Sequence, residues 1–383
     1  MSTAKTFDYA DVLPPGIRSR FVENVNGLRM HILEAGYETP GRPLALLLHG
    51  FPELAYSWRK VMLPLAGAGY HVVAPDQRGY GRTTGWDPDY DGDVMSFHML
   101  NIVRDTIALV SALGYRQVDA LIGHDFGAPA SANCTLARPD FFKSVVIMSA
   151  PFGGPPAFPF DTDGKPAAPP PPDIHAALAA LPRPRKHYQW YYSERHADDD
   201  MRRCPQGLHA FMRAYYHHKS ADWKQNTPYR LKGWIAEELA RMPTYYIMDL
   251  DRNMAETVAP EMPSPAEISA NQWLPDRELE VYSIEYGRVG FQGGLQWYRC
   301  GTDPDRLAHL RLFSGKTVDI PSMFIAGKSD WGVYQRPHVF EAMQERVFTK
   351  MVGCHLVEGA GHWVQQEQPE AVSRLLLEFL QRR

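Results

Sequence analysis

Gly123-His124-Asp125-Phe126-Gly127 sets one carboxylate between two glycines, a spacing suited to a sharp strand-to-helix turn. Such a turn lifts its central side chain clear of the backbone, as a nucleophile requires. The flanking glycines are needed because a Cβ at either position would clash. Asp at the centre changes the chemistry. A serine has to lose a proton as it attacks, so it needs a base. A carboxylate, with an ordinary pKa of ~3.9, is already ionised at neutral pH and attacks unaided. On an ester or amide carbonyl it would form a reactive anhydride. On a saturated carbon it forms an ordinary ester that water can cleave later. The pattern therefore points away from esterases and towards displacement at carbon, on an epoxide or an alkyl halide. Taken alone, Asp125 serves equally well as an N-cap for the Ala-rich segment that follows. Its partners decide.

Two further groups fit the second step. Asp330, in Gly327-Lys328-Ser329-Asp330-Trp331, and His362, in Gly359-Ala360-Gly361-His362-Trp363, each follow a strand-like run. The order nucleophile, acid, histidine is that of hydrolases built on this turn. Because Asp125 needs no activation, His362 is free to take a proton from the water that cleaves the ester. Asp330 would fix its tautomer and balance its charge. His49-Gly50-Phe51-Pro52-Glu53 directly follows the apolar run at 44–48. The backbone N–H groups of Phe51 and of Phe126, the residue after the nucleophile, are the expected oxyanion donors. Asp76-Gln77-Arg78-Gly79-Tyr80-Gly81-Arg82 reads as a charged structural turn beside them.

Elements of a particular kind must position these groups. Short apolar runs at 44–48, 70–74, 118–122, 144–148, 321–327 and 354–358 read as buried strands. Helical spacing appears between them at 99–113 and 128–138, and an amphipathic helix closes the chain at 369–380. Strand alternating with helix predicts a mostly parallel α/β sheet. After Pro151 the character changes. Residues 153–172 are rich in Pro and Gly and end in four prolines, which predicts a surface loop. From His175 to about Arg306 the chain is rich in Tyr, Trp, Met and His, with helical patterning and no clear strand. The expected layout is a core in two parts, 1–150 and 307–383, with a helical lid at 151–306.

Composition limits the alternatives. The 383 residues include 44% hydrophobic and 22% charged side chains, so wholesale disorder is excluded. Lys and Arg number 40 against 44 Asp and Glu, a net charge of −4 with no basic block, which argues against nucleic acid as a partner. No run is long enough to span a membrane, and the first residues lack the apolar stretch of a signal peptide. Cys134, Cys204, Cys300 and Cys354 are too few and too scattered for a disulfide framework or a zinc site. A cytoplasmic enzyme with free thiols is expected. His196-Ala197-Asp198-Asp199-Asp200 reads as a solvated helix start rather than a metal site.

Together these residues carry a resemblance. HGFPE at 49–53, DQRGYG at 76–81, GHDFGAP at 123–129, GKSDWG at 327–332 and GAGHW at 359–363 resemble the soluble-type epoxide hydrolases of the α/β-hydrolase superfamily. The similarity spans nearly the whole chain from about residue 20 and lacks the N-terminal phosphatase domain of some mammalian members. It implies an α/β-hydrolase fold with an inserted helical cap, a small-molecule epoxide and water as substrates, and neither cofactor nor metal. It also implies two lid tyrosines that protonate the epoxide oxygen. Phe291-Gln292-Gly293-Gly294-Leu295-Gln296-Trp297-Tyr298-Arg299 looks like the second lid motif and puts one role on Tyr298. The segment from His187 to Glu194 is similar to the first and puts the other on Tyr188, with Tyr191 and Tyr192 as alternatives in register. By the same resemblance Glu53 helps position the hydrolytic water. Phe126 stands where many relatives have Trp. Trp190, Trp297 and Trp363 are expected to line the substrate pocket.

Two other readings compete. A haloalkane or haloacid dehalogenase would use the same Asp nucleophile but cradle halide with Trp or Asn N–H donors. A non-catalytic ligand-binding homologue would keep the scaffold without the chemistry; the presence of both Asp125 and His362 speaks against it.

Overall fold

Runs of Leu, Val, Ile and Ala form the sheet because both of its faces are covered. In the computed structural model, which describes residues 7–159 and 173–382, eight strands hydrogen-bond in the order β1-β2-β4-β3-β5-β6-β9-β10. They are β1 (Ile17–Val25), β2 (Leu28–Ala35), β3 (Leu44–Leu48), β4 (His71–Pro75), β5 (Ala120–His124), β6 (Val145–Met148), β9 (Ser322–Gly327) and β10 (Met351–Val357). Only β2 runs antiparallel to its neighbours. Every residue of β3, β4, β5, β6 and β9 is buried. Each fully buried Leu, Val or Ile contributes about 1.5–3 kcal/mol, so this slab dominates the stability of the core.

Helices flank the sheet in two pairs. α1 (Arg59–Gly67) packs on α7 (Pro369–Arg382), and α2 (Met99–Ala112) packs on α3 (Gly127–Ala137). α7 buries Val372, Leu375, Leu376, Phe379 and Leu380, one stripe at helical spacing. α3 is buried nearly all round, which its run of small residues permits.

The strand order creates the crevice where chemistry can sit. β3 lies between β4 and β5, and Leu48 pairs with Gly123. The chain leaves β3 for β4 on one side and leaves β5 for β6 on the other. The loops after β3 and β5 therefore diverge from one point, the switch point at which open α/β sheets bind ligands.

Three features depart from the sequence reading. The antiparallel hairpin β1–β2 was not expected, because β1 is a partly exposed edge with polar positions and β2 carries the buried polar residues His31 and Glu34, so neither reads as an apolar run. The segment between β6 and β9 is mostly short helices, but it also holds a two-stranded antiparallel ribbon, β7 (Arg185–His187) with β8 (Ile247–Asp249). Three-residue strands are too short to register as a period. β10 begins at Met351, three residues before the expected run. Of the Pro-rich stretch expected as a loop, residues 160–172 lie outside those described.

The longer helices of this inserted segment are α4 (Leu208–Lys219), α5 (Asp276–Val289) and α6 (Gln292–Thr302), and the expected boundary at 306 falls inside a further short helix, Pro304–Ala308. α6 sits directly on the core because of two glycines. A Cβ on Gly293 would collide with the Gly79 backbone, and one on Gly294 would reach within 2.6 Å of the Phe51 ring. The acidic run at 198–200 is more than a solvated helix start. Asp198 accepts from the N–H groups of Phe291 and Gln292 and so caps α6, while Asp200 accepts the Tyr191 hydroxyl.

Candidate active site

Asp125 follows β5 with φ at +52°, the left-handed region that a non-glycine residue enters only when its surroundings hold it there. The turn is tight on both flanks. A Cβ on Gly123 would strike the Gly127 carbonyl, and one on Gly127 would strike the Leu48 carbonyl. The loop after β3 meets the same turn, since a Cβ on Gly50 would overlap the Asp125 side chain. The Phe51 N–H donates to Oδ1 of Asp125 at 2.9 Å. Phe126 opens α3 directly after it.

Asp330 and His362 arrive from the carboxyl ends of β9 and β10. His362 Nδ1 lies 3.2 Å from Oδ1 of Asp330. An ionised carboxylate only accepts, so this nitrogen carries the hydrogen. The Gly332 N–H donates to the same oxygen at 2.7 Å. The other imidazole nitrogen, Nε2, stands 3.4 Å from Oδ2 of Asp125 without forming a hydrogen bond. Burial works against the Asp125 carboxylate, but the His362 imidazole, Lys219 and His124 outweigh it and hold its pKa well below the ordinary range. Burial likewise opposes the Asp330 carboxylate, and His362 and the Gly332 N–H more than reverse it.

Two tyrosines of the inserted segment pack together beside this turn. Tyr188 and Tyr298 are both 4% exposed, with ring centroids 5.9 Å apart. Burial raises both phenols far above their ordinary value, and the Asp125 charge adds to the rise at each. Tyr298 packs edge-on against Phe126 and Phe51 at 4.5 and 5.4 Å. Tyr188 donates to Oε1 of Gln335 at 3.2 Å. The register alternatives are engaged elsewhere. Tyr191 donates to Asp200 at 2.9 Å and Tyr192 to the Tyr215 hydroxyl at 3.3 Å.

The remaining expected residues divide. Glu53 is completely buried. Its oxygens accept from the Gly50 N–H at 3.0 Å, from Gln365 at 2.9 Å and from His124 Nδ1 at 2.5 Å. His124 in turn reaches the His362 carbonyl at 2.7 Å through Nε2. Glu53 therefore braces both loops from beneath, and protein donors occupy both of its oxygens. Trp297 packs on Phe126, and its indole N–H is taken by the Arg78 carbonyl at 3.0 Å. Trp363 backs the His362 ring at 4.6 Å and donates to the Tyr216 carbonyl. Trp190 is not brought to the cluster; its ring contacts are His175 and His187. The turn at 76–82 is structural. Asp76 accepts from His31 and from the N–H groups of Ala55 and Arg82, and Arg78 pairs with buried Asp105.

This geometry can be set beside known proteins. A family model described as alpha/beta hydrolase fold matches residues 43–369. Epoxide hydrolase A of Mycobacterium tuberculosis is 33% identical over 362 residues, covering 93% of this chain and 95% of that protein. The chain belongs to the epoxide hydrolases of the α/β-hydrolase fold family. Epoxide hydrolase 3 of the plant Siraitia grosvenorii is 28% identical over 93% of this chain and 96% of its own length. Among solved structures, an epoxide hydrolase from an endophytic Streptomyces superposes with a TM-score of 0.75 at 29% identity, covering 96% of both chains. Potato epoxide hydrolase I superposes with a TM-score of 0.72 at 27% identity, covering 96% of this chain and all of that one.

Within this family frame, sequence reasoning missed two residues beside the cluster. Gln335 accepts the Tyr188 hydroxyl from a loop with no motif around it. Lys219, the last residue of α4, is 3% exposed and influences the Asp125 carboxylate. Only a lysine at the end of an otherwise aromatic helix could have signalled it.

Proposed function

We propose that this α/β-hydrolase opens small-molecule epoxides to vicinal diols through an ester on Asp125. The observation that carries the reading is a carboxylate with one oxygen on the Phe51 N–H and the other beside His362, with two buried protonated tyrosines packed beside its turn. Residues 151–306 act as the lid, between core parts 1–150 and 307–383.

The epoxide oxygen accepts from the Tyr188 and Tyr298 hydroxyls. Oδ1 of Asp125 is already held, so Oδ2 attacks a ring carbon. The carbon–oxygen bond of the ring breaks, and the departing oxygen takes a proton from a tyrosine. The product is an alkyl ester with its carbonyl oxygen on the Phe51 N–H. His362 then removes a proton from water, which attacks the ester carbonyl. Phe51 and Phe126 N–H groups stabilise the oxyanion, and Asp330 stabilises the imidazolium. Collapse expels the alkoxide, which takes the proton from the His362 imidazolium, and the second proton of the water returns to the tyrosinate, so the diol leaves with Asp125 ionised and the tyrosine restored. Glu53 supports the hydrolytic step through His124.

A halide cradle is disfavoured because the Trp297 N–H is engaged by Arg78 and Trp190 packs on histidines. The four thiols, none in a disulfide, fit a cytoplasmic setting. Among the described residues no helix is long and apolar enough to cross a membrane.

The test is a single turnover of excess enzyme with an aryl epoxide in oxygen-18 water. An unlabelled first diol, with label in the peptide carrying Asp125, is the expected result. Label entering the first diol directly would mean that water attacks the epoxide and that Asp125 is misassigned.

A further inference from the structure

Lys219 ends α4 with its side chain turned into a box of four aromatic rings. Its Nζ lies 5.5 Å from the Tyr215 centroid, 5.8 Å from Tyr245, 5.2 Å from Tyr246 and 5.3 Å from Trp363. The residue is 3% exposed. Among the described residues no carboxylate lies within 4 Å of this ammonium, and no protein group accepts a hydrogen bond from it. Aromatic faces attract a cation, by up to about 2 kcal/mol when water is excluded, but they do not replace hydrogen-bond acceptors. An ammonium enclosed in this way without protein acceptors is costly unless a ligand or water supplies them.

A second polar group in the same box is also unsatisfied. The Tyr246 hydroxyl is buried and has no hydrogen-bond partner. The polar ends of the other three rings are committed. Tyr215 accepts from Tyr192, Tyr245 donates to Asn226, and Trp363 donates to the Tyr216 carbonyl. The box adjoins both halves of the site. Tyr246 packs on Tyr188 at 5.0 Å, and Trp363 packs edge-on against His362 at 4.6 Å. The Lys219 carbonyl itself accepts the His362 N–H at 2.9 Å.

An ammonium without acceptors, beside the reacting groups, matches one ligand chemistry. We propose that Lys219 receives a carboxylate of the substrate, so that the preferred substrates are epoxides bearing an acid group. This inference rests on the reading of Asp125, Tyr188 and Tyr298 as the epoxide site. A substrate carboxylate brought near Asp125 is repelled by it, and Lys219 offsets that repulsion. Lys219 is on this account a specificity residue that takes no part in bond making.

Two measurements test it. The first is kcat/KM for 3-phenyloxirane-2-carboxylate against its carboxamide. The second, independent of turnover, is calorimetric binding of 3-phenylpropanoate against 3-phenylpropanamide. Wild type should favour each acid by about 10- to 100-fold, the size of a charge-assisted hydrogen bond. In Lys219→Met, with its folding checked by circular dichroism, both preferences should collapse to about unity or below. No preference in wild type overturns the proposal whatever the variant does. A preference that survives Lys219→Met also overturns it, as does an equal loss on acid and amide, which would make Lys219 only a countercharge to Asp125. If the acid binds selectively but neither epoxide turns over, the carboxylate site stands and the epoxide reading fails.

Discussion

His362 Nε2 stands 3.4 Å from Oδ2 of Asp125 and makes no hydrogen bond, while its Nδ1 is held by Asp330. An imidazole fixed at one nitrogen and open at the other, beside Oδ2 of Asp125, fits the role of base proposed for the second half of the reaction. His362→Gln should therefore leave alkylation intact and block hydrolysis. One equivalent of epoxide should be consumed, the Asp125 peptide should gain the substrate mass, and turnover should fall by about 10²- to 10⁴-fold. Undiminished steady-state turnover would remove His362 from the mechanism.

The tyrosines separate by their partners. Tyr188 and Tyr298 respond to the Asp125 charge, whereas Tyr191 and Tyr192 bond to Asp200 and Tyr215. Tyr188→Phe and Tyr298→Phe should each slow pre-steady-state alkylation by about 10- to 100-fold, and the double variant by about 10³-fold or more. Tyr191→Phe and Tyr192→Phe should alter it by less than about threefold, because their hydroxyls are bonded away from Asp125. Reversal of the order would shift the register of the first lid motif.

The alkylation rate should be flat from about pH 5 to pH 9, because its groups titrate outside that window. Asp125 is held below the ordinary carboxylate range and stays ionised as pH falls, and both phenols are raised and stay protonated as pH rises. Stopped-flow quenching of Trp fluorescence would read it. The same depressed carboxylates, Asp125 and Asp330, bind protons more weakly folded than unfolded. They add stability above about pH 4, lost as pH falls through the folded-state values. Asp125→Asn should accordingly soften the acid-side fall in urea midpoint.

Arg78 and Asp105 form a buried bidentate pair at 2.7 Å, and Asn26 adds a third donor to Asp105 at 2.6 Å. Removing one partner leaves the other charge buried and alone. Asp105→Ala should cost about 3–5 kcal/mol in urea unfolding. Because the Arg78 carbonyl holds Trp297, next to Tyr298 on α6, kcat should fall as well.

Much of this was legible in the chain because it is local. The apolar runs of the central strands read correctly to within two residues, since a strand buried on both faces has no polar alternation to confuse it. Asp125 was legible because a tight turn demands glycines two residues to either side. The hairpin β1–β2 was not, because the edge strand β1 is polar on its exposed positions and β2 buries the polar His31 and Glu34. The ribbon β7–β8 was not, because its paired residues lie 60 to 64 positions apart and its strands are three residues long.

The residue types and their order singled out Asp125, Asp330 and His362 and the kind of bond proposed for them to attack. Charge and acidity belong to the side chains themselves, and a turn is set by its own few residues. The tertiary structure alone decided that Tyr188 and Tyr298 pack together beside Phe126, that Glu53 lies beneath the loops with both oxygens taken, and that Lys219 is enclosed by rings without an acid partner. Those relations join residues from distant parts of the chain, and only packing brings them within reach of each other's charge.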